Sequence, residues 1–197
     1  MKSISKGFKL ILVNCLWLIC SLPLFTIGAS TCAACYVCLK LLNDEDGDIY
    51  TWFFKSFKEN FKQGTIIWFF VAPALYAASL CWTLLIGDDA GFFGKIGCVG
   101  YISVLTISAV FLFPLMAHYH NSIKSFVKNS FVLGLQYLTK TLIEAILIVL
   151  VAALWSFNFI TQIIGLFFMP GIIIFIMCFY AKPVFEYLDR PKDKIIE

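Results

Sequence analysis

Charge is scarce in this chain. Asp, Glu, Lys and Arg make up 14% of its 197 residues, where a soluble domain carries roughly a quarter. The deficit accompanies an apolar share of 61% and a mean hydropathy of +0.90. A water-soluble globule of that composition would expose much of its apolar surface and aggregate. A bilayer removes the conflict, because lipid tails solvate the excess. The length suits one membrane domain without a second soluble domain of ordinary size.

Catalytic signatures are missing too. The sequence holds no His-Glu-x-x-His, no Gly-x-Ser-x-Gly elbow and no phosphate-binding glycine loop. No catalytic, cofactor-binding or metal-ligating residue is therefore assigned, and the chain reads as a non-enzyme. No apolar run carries the ladder of ionisable residues that proton-driven transporters use. Basic residues sit beside apolar runs and form no patch of their own, which excludes nucleic acid as a partner.

What is abundant is apolar sequence, and eight cysteines lie within it: Cys15, Cys20, Cys32, Cys35, Cys38, Cys81, Cys98 and Cys178. Disulfide frameworks belong to short secreted chains. Here the thiols read as reduced, small apolar side chains. Cys32-x-x-Cys35-x-x-Cys38 invites a metal reading, but three residues turn a helix by about 300°. Successive thiols drift by about 60° and trace a diagonal ridge, not a tetrahedral cage.

The pattern predicts an all-α, polytopic membrane protein with six helical segments in three hairpins, or five spans as the alternative. Residues 8–42 form the first hairpin, interrupted at Ser21-Leu22-Pro23, where proline removes a donor and Gly28 permits a reversal. Both arms fall short of the roughly 20 residues a span needs, so one bent crossing remains open. A signal peptide with Lys2, Lys6 and Lys9 as its basic region is opposed by the apolar helix that follows. Residues 49–64 place Ile49, Trp52, Phe53, Phe57 and Phe61 opposite Lys55, Lys58, Glu59 and Lys62, as in a helix lying in the headgroup plane. Extension of the next span is the other reading. Residues 65–117 form the second hairpin, 123–138 a second interfacial helix, 141–181 the third hairpin, and 182–197 a polar tail. Lys55-Ser56-Phe57-Lys58-Glu59-Asn60 also aligns with Lys124-Ser125-Phe126-Val127-Lys128-Asn129, an internal repeat of the parallel kind.

Orientation follows from the cations. The six-segment layout puts 14 of the 15 Lys and Arg residues on one side, with Lys95 alone on the other. Positive residues favour the cytoplasm, so both termini are expected there.

Among polar residues, Asn14 reads as an interhelical hydrogen bonder. Glu144 lies about one turn inside its span, within reach of Lys140 or of the His118/His120 region. The two histidines point about 200° apart on a helix and would not share one metal ion. Gly28, Ala29, Ser30, Cys32 and Ala33 belong to a run of small residues that allows close backbone approach in lipid, for packing or for a partner.

The stretch Asn14-Cys15-Leu16-Trp17 through Ser21-Leu22-Pro23, with Thr26-Ile27-Gly28-Ala29-Ser30-Thr31, resembles the N-terminal signature of the YesL-like membrane family. Phe53-Phe54-Lys55-Ser56-Phe57-Lys58-Glu59-Asn60-Phe61-Lys62-Gln63 is similar to that family's next block. The three spaced cysteines depart from its pattern. The resemblance implies a bacterial plasma-membrane protein of unknown function, often encoded beside ABC-type carbohydrate-uptake components, with no established catalytic residues. The expected role is an accessory protein touching an ABC permease subunit; the alternative is a small oligomeric channel or carrier.

Overall fold

A computed structural model describes residues 2–86, 91–155 and 158–190. Seven α-helices and one short 3-10 turn make up the ordered elements there, and no strand occurs among the described residues. They are α1 (Lys2–Ser21), the 3-10 turn (Leu24–Thr26), α2 (Ile27–Leu42), α3 (Ile49–Ile86), α4 (Phe92–His118), α5 (Ile123–Gln136), α6 (Leu138–Trp155) and α7 (Phe159–Leu188). Four helical stretches are long and apolar enough to cross a membrane, or five when the bent pair α5–α6 counts as one. The apolar part of α1, Gly7–Ser21, is shorter.

The break between α1 and α2 is set by Pro23 and Thr26. The Thr26 amide donates to the Pro23 carbonyl at 2.7 Å, and its hydroxyl reaches the Cys20 and Pro23 carbonyls at 2.5 and 2.6 Å. Gly28 plays no part in that turn. It lies inside α2, where a Cβ would overlap the Gly64 carbonyl of α3.

Residues 49–64 do not form a separate interfacial helix. They are the first part of α3, capped by Asp48, whose carboxylate accepts from the Thr51 amide and hydroxyl at 2.9 and 2.6 Å. The expected aromatic stripe does not set the buried face. Ile49, Phe53, Ser56, Asn60, Gly64 and Ile67 do, while Phe57 is half-buried and Phe61 exposed. Small side chains at Ser56 and Gly64 let α2 come close, and close approach outweighs aromatic bulk in deciding which side turns inward.

Residues 123–138 are likewise not a helix lying apart. Gly134 of α5 rests on the Ile107 carbonyl, well up α4 from its end. The chain bends by 98° between α5 and α6. The Thr141 hydroxyl closes that bend by donating to the Gly134 and Tyr137 carbonyls at 3.0 and 3.2 Å. The aligned sextets also occupy different surroundings: Asn60 is buried and Asn129 exposed, while Phe126 is buried and Phe57 only half so. The side chains therefore do not repeat. Residues 182–188, expected in the polar tail, continue α7 past Pro183.

Contacts fix the helix directions. The Trp17 indole donates to the Thr31 hydroxyl at 3.0 Å across the break at Pro23, so α1 runs antiparallel to α2. Cys35 meets Cys178 and Leu42 meets Lys182, so α2 runs parallel to α7. His118 meets Asp189. The starts of α1, α3 and α5 and the ends of α2, α4 and α7 therefore share one end of the bundle. Because α7 begins at the other end, α5 and α6 together carry the chain from one end to the other.

Candidate functional site

The shared end gathers the polar residues. His118 closes α4, and its Nε2 lies 2.8 Å from Oδ2 of Asp189, just past the end of α7. The Tyr119 hydroxyl donates to Oδ1 of the same carboxylate at 2.7 Å. Phe185, one turn before Asp189, stacks on the His118 ring at 4.9 Å and 10° and meets Tyr119 edge-on at 5.6 Å. One buried phenyl ring thus holds both donors against one carboxylate.

Electrostatics follow the geometry. Burial pushes the Asp189 carboxyl up, but the hydrogen bonds from His118 and Tyr119 and the imidazole's charge outweigh it, leaving the group below the usual carboxylate range. Burial, then the bond to Asp189 and its charge, raise the Tyr119 phenol. Lys182 donates to the Leu42 carbonyl at 2.7 Å and lies 3.5 Å from Glu186. A cation from α7 thereby satisfies the carbonyl end of α2, where the helix dipole favours positive charge. Lys40 pairs with Glu45 at 2.5 Å beside it.

Two cavities flank Asp189. One, about 320 Å³, is lined by Asn43, His118, Lys182, Phe185, Glu186 and Arg190 among others. The second, about 360 Å³, is lined by Tyr119, Asn121, Asn129 and Leu133 among others, and Asp189 borders both. The volumes suit small ligands. A carboxylate-oriented imidazole is the start of a general base, but the first cavity's lining offers no serine, threonine or cysteine to activate.

The residues singled out in the sequence scatter. His120 is exposed, and only His118 joins the cluster. Glu144 reaches neither Lys140 nor a histidine: it is fully buried, and neither carboxyl oxygen has a hydrogen-bond partner. Lys140 lies instead over the Tyr137 ring at 5.3 Å. Asn14 is an interhelical hydrogen bonder as expected, its Nδ2 donating to the Phe167 carbonyl of α7 while its Oδ1 stays unpartnered. Gly28, Ala29, Ser30, Cys32 and Ala33 are all buried, and α2 is enclosed by α1, α3, α4 and α7. That enclosure serves packing within the chain and leaves no free side for a partner.

The cysteine ridge gains a member that spacing in sequence hid. Cys178 of α7 contacts the thiols of Cys35 and Cys38 and lies 3.5 Å from the Cys35 carbonyl. Even so, no group of three His, Cys, Asp or Glu among the described residues is arranged to hold a metal ion. Asp189, Tyr119 and Phe185 were missed by sequence reasoning. Asp189 signalled itself only as a polar residue just past the last apolar run, Tyr119 as one just past the run that forms α4, and Phe185 not at all.

Comparison with known proteins is brief. Residues 10–81, from α1 into the second half of α3, match a family model described as a protein of unknown function, DUF624. No curated protein and no solved structure gives a significant match.

Proposed function

We propose that the chain is an accessory protein of the bacterial plasma membrane, with six helical segments and both termini in the cytoplasm, that works by binding an ABC-type carbohydrate permease subunit. The observation that carries association over transport is the enclosure of α2. Ala29, Cys32, Ala33, Ala34, Cys35 and Val37 are all fully buried along the middle of the bundle. A carrier keeps its site near the membrane midplane and opens it to each side in turn. Here the midsection is closed by packed small residues, and the cavities of about 320 and 360 Å³ both border Asp189 at the basic end.

Further support is coarser. The YesL-like resemblance supplies the carbohydrate and permease link, and the matched family model covers the same N-terminal region. The 14-to-1 division of cations supports the orientation. On this reading the docking surface is the basic end around Asp189, since α2 offers no free face.

Mild extraction of native membranes, with affinity capture of the tagged chain, tests the reading. A permease subunit should co-purify, and Asp189→Arg should lower its recovery at least tenfold while leaving insertion intact. Solute flux through liposomes holding the purified chain alone, with no subunit captured, would replace this reading with the channel or carrier.

A further inference from the structure

The end of the bundle away from Asp189 holds a second group of reactive side chains. α3, which ends at Ile86, packs against α4, which starts at Phe92. Cys81 stands five residues before the end of α3 and Cys98 six after the start of α4, both about 8 Å in from the helix ends. Deeper along the same two helices, the long Tyr101 side chain donates its hydroxyl to the Ala74 carbonyl at 2.9 Å, so α3 and α4 stay in contact there. The two thiols are in hydrogen-bonding contact, and both are free. Cys98 is buried between the helices and Cys81 is half-buried, flanked by exposed Trp82, Ile96 and Val99.

Access separates this pair from the four interior thiols, while Cys15 is exposed and Cys20 half-buried on α1. Cys32, Cys35, Cys38 and Cys178 are at most 1% exposed in the interior, where an oxidant has no path and buried thiols stay inert. Cys81 has an open edge near the helix ends. We propose that Cys81 and Cys98 form a reversible dithiol–disulfide site whose oxidation ties α3 to α4 near the extracytoplasmic surface. The compartment rests on the orientation given under the proposed function; the pairing does not.

The co-reactant is a disulfide, small or protein-borne. One thiolate attacks a sulfur of that disulfide and releases one thiol, forming a mixed disulfide. The second cysteine then displaces the other half. Cys81 and Cys98 together give up two electrons and two protons, and the oxidant leaves as two thiols. The extracytoplasmic side is where such oxidants persist.

The test uses the full chain in intact cells, with a membrane-impermeant charged aromatic disulfide and with permeant dithiodipyridine. Non-reducing peptide mapping should find one Cys81–Cys98 cross-link with either reagent, reversed by dithiothreitol. Cys81→Ser and Cys98→Ser should each abolish it and leave a single adduct on the remaining thiol. Separate adducts on both cysteines of the unaltered protein, or no reaction with either reagent, would overturn the pairing. A cross-link with the permeant reagent alone would overturn the extracytoplasmic assignment, and the orientation beneath it, while the pair stands.

Discussion

Glu144 has given up its water without gaining a partner. It is fully buried on α6, and both of its oxygens lack a hydrogen bond. One turn earlier, Thr141 occupies a similar place but satisfies itself on the Gly134 and Tyr137 carbonyls. An unsatisfied buried polar group costs about 1–3 kcal/mol. Glu144→Met, close in volume, should therefore raise stability by about that amount, read as a higher thermal midpoint in detergent. Glu144→Gln should change it little, because the amide meets the same lack of partners. A midpoint lowered by Met would mean that something bound in the membrane satisfies the carboxyl, and the structural reading of Glu144 would fall. The sequence shows that Glu144 sits inside an apolar run. It does not show that the expected i, i+4 partner, Lys140, lies over the Tyr137 ring instead.

At the scale of elements, legibility tracked what kind of signal each helix carried. Long apolar runs put the end of the second hairpin at 117, one residue short of the end of α4 at His118, since burying a backbone in lipid leaves the helix as its only way to satisfy itself. The start of α3 was harder. Residues 49–64 look like an amphipathic helix on their own, and nothing local says that they continue through Thr65. Tertiary packing decides that, through Gly28 and Gly64, where an added Cβ at Gly64 would lie 2.8 Å from the Ala29 nitrogen. The obstructing atom is backbone, so α2 and α3 would have to separate. Gly64→Ala should cost about 1–3 kcal/mol. Gly100→Ala is the control, because a Cβ there meets nothing within 4 Å. It should be neutral or gain up to about 1 kcal/mol from helix propensity. Equal thermal midpoints for the two variants would refute the close α2–α3 contact. The site at Asp189 was less legible still: it joins residues 70 apart in sequence, and no local pattern pairs the end of α4 with the end of α7.

For the whole molecule, the helix directions alternate between the two ends of the bundle. α1 and α2 run up and back along the bundle, α3 and α4 do the same, and the bent pair α5–α6 is answered by α7. Among the described residues, four helical stretches are long and apolar enough to cross a membrane, or five when α5–α6 counts as one, whereas six segments were expected from charge, with α5 set aside as interfacial. The missing piece was the bend at Tyr137, because a helix interrupted near its middle resembles two independent helices in sequence. α3 is also about 57 Å long at 1.5 Å per residue, nearly twice the roughly 30 Å hydrocarbon core. Its N-terminal part, with Lys55, Lys58 and Lys62 exposed, therefore has length to spare beyond a span, at the same end of the bundle as Asp189. Single reporter cysteines in a cysteine-free background should accordingly be labelled from outside at Asn158, and shielded at Asp46, Asn121 and Arg190 until the membrane is permeabilised. A reporter at Lys58 should also be shielded, and a spin label there should report headgroup depth. Outside labelling at Asp46 or Asn121 would reverse the orientation. Outside labelling at Ser3 with Asn121 still shielded would remove one passage from the α1–α2 pair and leave five.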